Sequence, residues 1–489
     1  MYSLEGHVMA LQPASLTKLG IRNSCKGLGF CVRFRFMFLA ALLGVVCVAL
    51  LYNSNFTKDK PVFMRREQVK KKSIQPVVTK QWFMPNITTE MYILSAYYDD
   101  RPTIDPKTRP AIRIIGMADK NKVEKEKFSC IVTFEGLKNS ILQPMAVTEI
   151  GTGGGCHGKH FREYIFVCAP IKFTAKKAIF VSVVDQTYLN QNNWESHEHV
   201  RIPVRYPSRE NKVDFGSCVS ITFWTLDPYR IVEWVELHKL WGVKEINIYG
   251  SMMNETTERV FLYYHQQGIL TYTRMLRSMN ESGELVLNLM GTPVLNDCMY
   301  RNMYRYEKIV VTDLDEMIVP RGNMMTYSEL IDAIEKETKP RHPHRMYNFR
   351  NVYYFSELPQ NTSEPQVTLT LRQIYHLREL TPVGTSTKSI IDPMACRNVH
   401  NHYCWKIAET FEKTRHSIHV HEKFGMNQHY KKCHFDKYAT AYHLPPCKEA
   451  LKNYTYDPTM LKFKTNLLRN IEKPLKDLQL IKGGQIYHF

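Results

Sequence analysis

An apolar run is followed directly by three carboxylates in the stretch Lys308-Ile309-Val310-Val311-Thr312-Asp313-Leu314-Asp315-Glu316. The run predicts a buried β-strand. Because side chains alternate along a strand, Asp313 and Asp315 should share one side, while Glu316 faces the other in a structural role. A strand that ends here directs the pair into the crevice where open α/β sheets bind ligands. Two hard oxygen ligands with free positions for phosphate oxygens suit Mn²⁺ or Mg²⁺ bound to a nucleotide diphosphate, although a solvated strand end is the alternative.

Strands and helices alternate around this stretch. Such alternation is typical of a parallel, doubly wound α/β sheet. Residues 290–294 predict a loop, because they include Gly291 and Pro293. The predicted strands are 219–224, 245–249, 269–272 and 308–312, and the predicted helices are 228–241, 257–267, 295–306 and 327–337. Later residues predict β-like runs at 346–355, 367–371 and 389–392 and a basic amphipathic helix at 461–480.

Residues 86–210 show a different pattern, in which short alternating runs are separated by turn and charge clusters. They predict a small β-sandwich-like domain that precedes an α/β domain over 211–489. Gly153-Gly154-Gly155-Cys156-His157-Gly158 fits the dinucleotide pattern G-x-G-x-x-G. That pattern binds a nucleotide only where a helix begins, and the residues that follow are aromatic and β-branched. A glycine-rich loop is therefore predicted instead.

The N-terminal residues predict a membrane anchor. Residues 36–52 carry no charge, Arg33 and Arg35 precede them, and no acidic residue lies between Glu5 and Lys58. This pattern favours a signal anchor with residues 1–35 in the cytosol, a basic stem at 53–85 and the remainder in the lumen of the secretory pathway. A cleaved signal peptide is the alternative.

Sequons, cysteines and charge agree with a lumenal location. Beyond the apolar segment lie six glycosylation sequons, of which the first is too close to the membrane to be modified: Asn55, Asn86, Asn254, Asn280, Asn361 and Asn453. Nine of the twelve cysteines also lie there, so some should pair in an oxidising lumen, and the odd number leaves at least one over. The net charge of +18 favours an anionic partner. The lumenal location excludes nucleic acid and leaves an anionic glycan or a nucleotide donor.

Several strings, taken together, resemble glycosyltransferase family 92. They are Asn296-Asp297-Cys298-Met299-Tyr300-Arg301, Asp313 to Pro320, Glu233 to His238, Leu240 to Val243, Lys388 to Pro393, Val399-His400 and His429-Tyr430. The resemblance runs in order over residues 91–444. It implies a GT-A type (Rossmann-like) fold, an inverting mechanism, Mn²⁺ with Mg²⁺ as the alternative, and UDP-galactose as donor. It further implies a single-pass type II Golgi membrane protein that forms β1,4-galactosyl linkages on glycoprotein glycans, with β-galactose or fucose as the acceptor.

The resemblance also assigns site residues. Asp313 and Asp315 would hold the metal, with His400 as third ligand and His402 and His429 as the next candidates. The alternative for the histidine cluster is a structural zinc site with Cys404 and Cys433. Predicted donor contacts are Asn296, Asp297, Arg301 and Lys388, with a structural salt bridge as the alternative for Arg301 and Asp297. Glu233 and Glu236 match the family too, and we interpret them as structural.

An inverting transfer needs a general base, which the sequence leaves unassigned. The candidates are Glu357, Glu364, Asp392, Glu409, Glu412, Glu422 and Asp436. Trp405 could stack on an acceptor sugar, or it could pack in the core. A lumenal lectin without transferase activity and a metal-dependent hydrolase are the competing classes, and a second copy of the chain is a further candidate partner.

Overall fold

A computed structural model describes residues 76–150, 161–171, 175–191, 194–195, 198–276, 291–412, 416–433 and 445–481. All of them belong to one compact unit, Lys72–Phe489. The predicted tail, the membrane anchor, most of the stem, the glycine-rich run, Asn280 and Asp436 lie outside the described residues. Within those ranges no helix has the length and apolarity needed to cross a membrane.

The fold is mixed α/β. The strands are β1 Val78–Lys80, β2 Met91–Asp99, β3 Ala111–Asp119, β4 Phe128–Phe134, β5 Ile141–Glu149, β6 Phe161–Cys168, β7 Ala178–Asp185, β8 Ile202–Arg205, β9 Val213–Val219, β10 Thr222–Phe223, β11 Glu245–Ser251, β12 Leu270–Met275, β13 Tyr306–Thr312, β14 Glu316–Pro320, β15 Met346–Phe349, β16 Asn351–Phe355, β17 Tyr375–Leu377, β18 Lys388–Ile391, β19 Cys396–Val399, β20 Cys404–Ile407, β21 Ser417–Val420, β22 Gly425–Lys431 and β23 Tyr454–Tyr456. The helices are α1 Lys120–Val123, α2 Gln186–Gln191, α3 Pro228–Leu240, α4 Glu255–Gln266, α5 Gly291–Asn302, α6 Tyr327–Thr338, α7 Leu369–Arg372, α8 Cys447–Ala450 and α9 Lys464–Asp477, with 3₁₀ turns at Glu409–Phe411 and Thr459–Phe463.

The N-terminal strands close into a barrel in the order β2-β3-β6-β5-β4-β7-β8. The β-rich character is as predicted, but the sandwich-like arrangement is wrong. Strand β8 pairs with β7 on one side and with β2 on the other, where Ala96 lies opposite Val204. Closure removes the free edges that a sandwich would leave. A disulfide between Cys130 and Cys168 joins β4 to β6 inside this barrel.

The second sheet has the order β1-β12-β11-β9-β13-β18-β15-β21. Strands β12, β11, β9 and β13 run parallel, as predicted, whereas β18 is antiparallel to β13 and makes that half of the sheet mixed. Because Val219 lies opposite Thr312 in the register, the carboxyl ends of β9 and β13 meet at one edge. That edge is where ligands bind in sheets of this kind.

Alternate residues of β13 face two different cores. Val310 packs in the core that contains α3, α4, α6 and α9, while Ile309 and Val311 pack in the core that contains α5 and the barrel strand β2. Helix α5 contacts β2 and β3 as well as β9 and β13. The barrel is therefore attached to the sheet through this helix.

Three local predictions are wrong. The strand predicted at 219–224 is not one strand, since β9 already ends at Val219 and β10 covers only Thr222–Phe223. Residues 291–294 begin α5 instead of forming a loop, because proline is tolerated in the first turn of a helix, where its missing N–H would have no partner. Residues 367–371 are not β-like, since α7 begins at Leu369. The Glu233 carboxylate accepts from the Leu369 N–H at 2.8 Å and the Thr370 N–H at 3.0 Å, and so caps this short helix from a distant part of the chain.

Candidate active site

The carboxylate motif forms a turn between two sheets. Strand β13 ends at Thr312, and the Glu316 N–H donates to the Asp313 carbonyl at 3.2 Å before β14 begins. Asp313 and Asp315 are therefore not alternating residues of one strand. The expectation that Glu316 faces away from both aspartates is wrong, because the Lys388 Nζ contacts Asp313 and Glu316 together.

Five side chains form a continuous chain of contacts, which we call the charge chain: Asp313, Lys388, Glu316, His429 and Asp315. The Lys388 Nζ lies 2.6 Å from Asp313 Oδ2 and 2.9 Å from Glu316 Oε2. His429 places Nδ1 2.9 Å from Glu316 Oε1 and Nε2 3.0 Å from Asp315 Oδ2. The side chains of Lys388 and Glu316 are 1% and 4% exposed, whereas those of Asp313 and Asp315 are 32% and 42% exposed. The aspartates thus face the solvent, and their partners lie buried beneath them.

The electrostatics of His429 leave one of its two carboxylate contacts without a hydrogen bond. Burial lowers the pKa of His429, although Asp315 opposes this effect. Burial alone would raise the pKa of Asp315, but His429 and Arg230 hold it well below its ordinary value. A neutral imidazole carries one N–H, so it can donate to only one of its two carboxylates. The other ring nitrogen then presents a lone pair to a carboxylate, a repulsion that a bound cation would relieve.

The donor set fits a hard divalent ion. Two half-exposed carboxylates and one imidazole nitrogen leave coordination positions open for phosphate oxygens. Among the residues that the structure describes, no three His, Cys, Asp or Glu side chains already stand in the arrangement of a metal site. A cation at Asp313 or Asp315 would therefore compete with Lys388 and His429 for these oxygens.

The predicted histidines lie near the same lysine. His400 follows β19, its ring lies 5.3 Å from that of His402, and the His402 Nδ1 contacts the Thr387 carbonyl at 2.9 Å. Burial and then Lys388 lower the pKa of His400 to about 4. The contact that the structure gives Asp315 is with His429, and metal ligation by His400 stays a prediction. The zinc alternative is wrong, because its two cysteines are in disulfides, Cys396–Cys404 and Cys433–Cys447.

The three predicted donor residues on α5 contact other protein groups. Asn296 holds the backbone of Val399, next to His400, by accepting from its N–H at 3.0 Å and donating to its carbonyl at 2.8 Å. The carboxylate of Asp297 accepts from two tyrosine hydroxyls and pairs with Lys80 at 2.5 Å. Arg301 donates to the Tyr249 hydroxyl at 2.8 Å. These contacts are structural ones, and donor binding by the three residues stays a prediction.

A cleft of about 520 Å³ opens beside Asp313 and Asp315. Its other walls are residues 221–227, Arg230 and Ile231. Trp224 is 60% exposed and has φ of 59°, a left-handed conformation that bulky residues seldom adopt. Backbone strain of this kind concentrates at ligand sites. Sequence reasoning did not single out Trp224 or Arg230, because neither belongs to a motif and only the fold brings them beside the carboxylates.

The structure also gives the surroundings of the candidate acceptor residue, the candidate general bases, the sequons and the cysteines. Trp405 is 45% exposed, so it is not a core residue, and its ring lies 6.2 Å from that of His400. Four candidate bases are engaged with basic side chains: Glu364 with Lys464, Asp392 with Arg345, Glu409 with Arg397 and Glu422 with Arg350. Of the described sequons, Asn86 and Asn453 are exposed and Asn254 and Asn361 are partly exposed. The described cysteines are all paired, with Cys218–Cys298 as the fourth disulfide, and Cys156 lies outside the described residues.

Comparison with known proteins identifies the protein family to which this site belongs. The chain is similar to the "Beta-1,4-galactosyltransferase galt-1" of Caenorhabditis elegans, with 27% identity over 151 residues, 28% of this chain and 34% of that protein. The match thus spans about a third of the relative's length. The family description of glycosyltransferase family 92 matches residues 213–477, more than half of the chain, and includes the charge chain and the cleft. The chain belongs to glycosyltransferase family 92.

Proposed function

We propose that this protein transfers galactose from UDP-galactose to the terminal sugar of a glycan, with inversion, to form a β1,4 linkage. The observation that carries the proposal is the pair of half-exposed carboxylates at the mouth of the cleft, at the carboxyl ends of the parallel strands. Family membership supports sugar transfer, and the name of the nematode relative supports galactose and the β1,4 linkage. The parallel sheet with its carboxylate turn is consistent with a GT-A type fold.

The charge chain would bind Mn²⁺, with Mg²⁺ as the alternative. Asp313 and Asp315 would supply oxygen ligands, and His429 or His400 a nitrogen ligand. When bound, the cation would act as a Lewis acid on the diphosphate leaving group. The Glu316 carboxylate lies 2.9 Å from the His429 Nδ1 and would turn into line to accept its proton when Nε2 binds the cation, as carboxylates commonly do behind ligating histidines. Lys388 would keep the Asp313 carboxylate in place until the cation arrives.

The acceptor would bind near Trp405. An exposed indole offers a flat apolar face to a sugar ring, and the nearby Tyr403 ring stacks with it at 6.0 Å. We propose a terminal β-galactose of an N-glycan as acceptor, with fucose as the alternative. The acceptor hydroxyl must lose a proton as it attacks the anomeric carbon, and a carboxylate that lacks a basic partner suits this role better than the four ion-paired candidates.

The proposed location is the Golgi membrane, in single-pass type II orientation with the catalytic part lumenal. The uncharged segment 36–52 and the sequons beyond it support this topology. In sealed vesicles, residues 53–489 should resist added protease and should shift in mass after glycosidase treatment. Digestion of that part in intact vesicles would contradict the topology.

Product analysis tests the reaction. The full chain, purified in mild detergent with Mn²⁺, is incubated separately with UDP-galactose and UDP-glucose and is offered galactose-ended and fucosylated glycans. We expect transfer from UDP-galactose and a β-linked product by NMR. An α-linked product would refute inversion, and transfer from UDP-glucose alone would refute the donor. Glycan binding without turnover would favour the lectin alternative.

A further inference from the structure

Arg230 occupies an unusual position for a cation. It lies in the first turn of α3 and lines the cleft beside Asp313 and Asp315. The N-terminus of a helix carries partial positive charge, so a basic residue there is electrostatically unfavourable unless an anion is nearby. The exposed carboxylate of Asp227 also lines this wall and caps the helix, where it accepts from the Tyr229 N–H at 3.0 Å, so Arg230 is the cation that the wall sets beside the carboxylates of the cleft. Whether Arg230 is neutralised by these carboxylates or is left to bind a ligand is decided by its contacts.

The contacts of Arg230 leave part of its guanidinium unused. One Nη donates to the Tyr430 carbonyl, next to His429 in the charge chain. The Nε is buried and has no hydrogen-bond partner among the described groups. The guanidinium also forms no ion pair with any carboxylate in the described ranges, although Asp315 is the carboxylate that acts on it most strongly. A buried N–H group is normally hydrogen-bonded, so an Nε without a partner in a cleft requires another explanation.

Lys388 cannot fill the same role as Arg230. Its Nζ is already shared between Asp313 and Glu316, and it also donates to the Asn401 carbonyl at 2.8 Å. A guanidinium, in contrast, presents five donors in one plane, a geometry that matches phosphate oxygens. Arg230 thus combines a fixed position with free donor capacity.

We propose that Arg230 binds the diphosphate of the nucleotide donor and stabilises the departing nucleoside diphosphate, an inference that rests on the function proposed above. In the transfer, the bond between the anomeric carbon and the β-phosphate oxygen breaks, and its electron pair stays on that oxygen. The acceptor hydroxyl oxygen bonds to the anomeric carbon, and its proton passes to the general base. The charge that develops on the phosphate oxygen is met by N–H donors of Arg230, which remains protonated throughout.

Binding measurements on the full chain in detergent with Mn²⁺ test this role without relying on turnover. Calorimetry with uridine, UMP and UDP gives the part of the affinity that the phosphates contribute. We expect Arg230→Gln to weaken UDP binding about 10-fold to 100-fold, the range for a lost hydrogen bond to a charged group, and to leave uridine binding unchanged. Arg230→Lys should fall between the two. The matched control is Arg259→Gln, since Arg259 also donates to a backbone carbonyl, that of Leu478 at 3.0 Å, but lies on α4 and does not line the cleft.

The possible outcomes test the role of Arg230 separately from the proposed function. If the wild-type protein binds UDP and Arg230→Gln retains the full difference between UDP and uridine, the role of Arg230 is refuted and the proposed function stands. An equal loss of affinity for uridine and UDP would show that Arg230 only supports the fold of the cleft, and would also overturn the inference. Failure of the wild-type protein to bind UDP at all would overturn both proposals.

Discussion

Lys388 separates two carboxylates, and its replacement by methionine would show how much the charge chain depends on a cation. Methionine fills a similar volume and introduces no new charge. Asp313 Oδ2 and Glu316 Oε2 lie within about 5.5 Å of one another, because they are 2.6 Å and 2.9 Å from the same Nζ. Two unit charges at that separation repel by about 3 kcal/mol at an effective dielectric constant of about 20. Solvent around the half-exposed Asp313 screens part of this, so we expect Lys388→Met to destabilise the protein by about 2 kcal/mol in chelator.

Thermal unfolding with and without Mn²⁺ measures this effect. A loss of about 2 kcal/mol corresponds to a decrease in Tm of about 2 °C for a protein of this size. A divalent cation replaces the lost charge and competes with no lysine, so Mn²⁺ should raise the Tm of Lys388→Met by more than it raises that of the wild type. The control is Lys80→Met, which removes another buried lysine from an ion pair, with Asp297 at 2.5 Å, away from the proposed metal.

Two results would refute this reasoning. Equal stability of Lys388→Met and the wild type in chelator would mean that repulsion between the two carboxylates does not contribute to stability. An equal response to Mn²⁺ in both proteins would mean that Lys388 does not compete with the metal. The Lys80→Met protein should be less stable than the wild type, and Mn²⁺ should raise its Tm by the same amount as that of the wild type.

Three further predictions concern the metal ligands, acid stability and the acceptor. Asp313→Asn and Asp315→Asn should each lower turnover at least about 100-fold with the fold retained, and EDTA should abolish a wild-type activity that Mn²⁺ restores; full activity in chelator would contradict the metal assignment. Burial lowers the pKa of His238 to about 3, below its unfolded value of about 6.5, so its stability contribution is lost as pH falls from about 6.5 towards 3. The variant His238→Phe, which keeps the ring stacked on Trp234, should flatten this part of a stability curve measured by urea unfolding, and an unchanged slope would be evidence against it. The Trp405→Ala protein should show a KM for the glycan acceptor raised about 10-fold with the donor KM unchanged, the loss expected for one aromatic contact, and equal changes in both would exclude an acceptor-specific role.

The sequence predicted those parts of the fold that local patterns determine. The apolar run before Asp313 and the alternation of strands and helices predicted the parallel strands β11, β12 and β13, which the structure confirms, whereas the parallel strand β9 ends at Val219, where the predicted strand 219–224 begins. Prediction from the sequence failed where contacts with distant residues determine the local structure. Helix α7 begins where it does because Glu233 caps it across more than a hundred residues, and no pattern within 367–371 records that contact.

In the candidate site, too, local sequence patterns predicted some features and tertiary contacts determine the others. Asp313 and Asp315 stand out in the sequence because they follow a strand. Their turn geometry is set by pairing of β14 with β22, where Glu316 lies opposite His429, and this register is a tertiary property. Arg230 could have been noticed as a cation in the first turn of a helix that follows the first parallel strand. Its buried, unpaired Nε depends on the position of Tyr430, two hundred residues further along the chain.

The lysine in the charge chain has a consequence for how the protein matures. Lys388 supplies an internal counter-ion to Asp313 and Glu316, so the chain can fold before the proposed cation binds. Metal loading would then be an exchange of counter-ions on a finished protein rather than a step in its folding. If the proposed metal binds, we expect its supply to change the activity of the chain without changing the amount of folded protein.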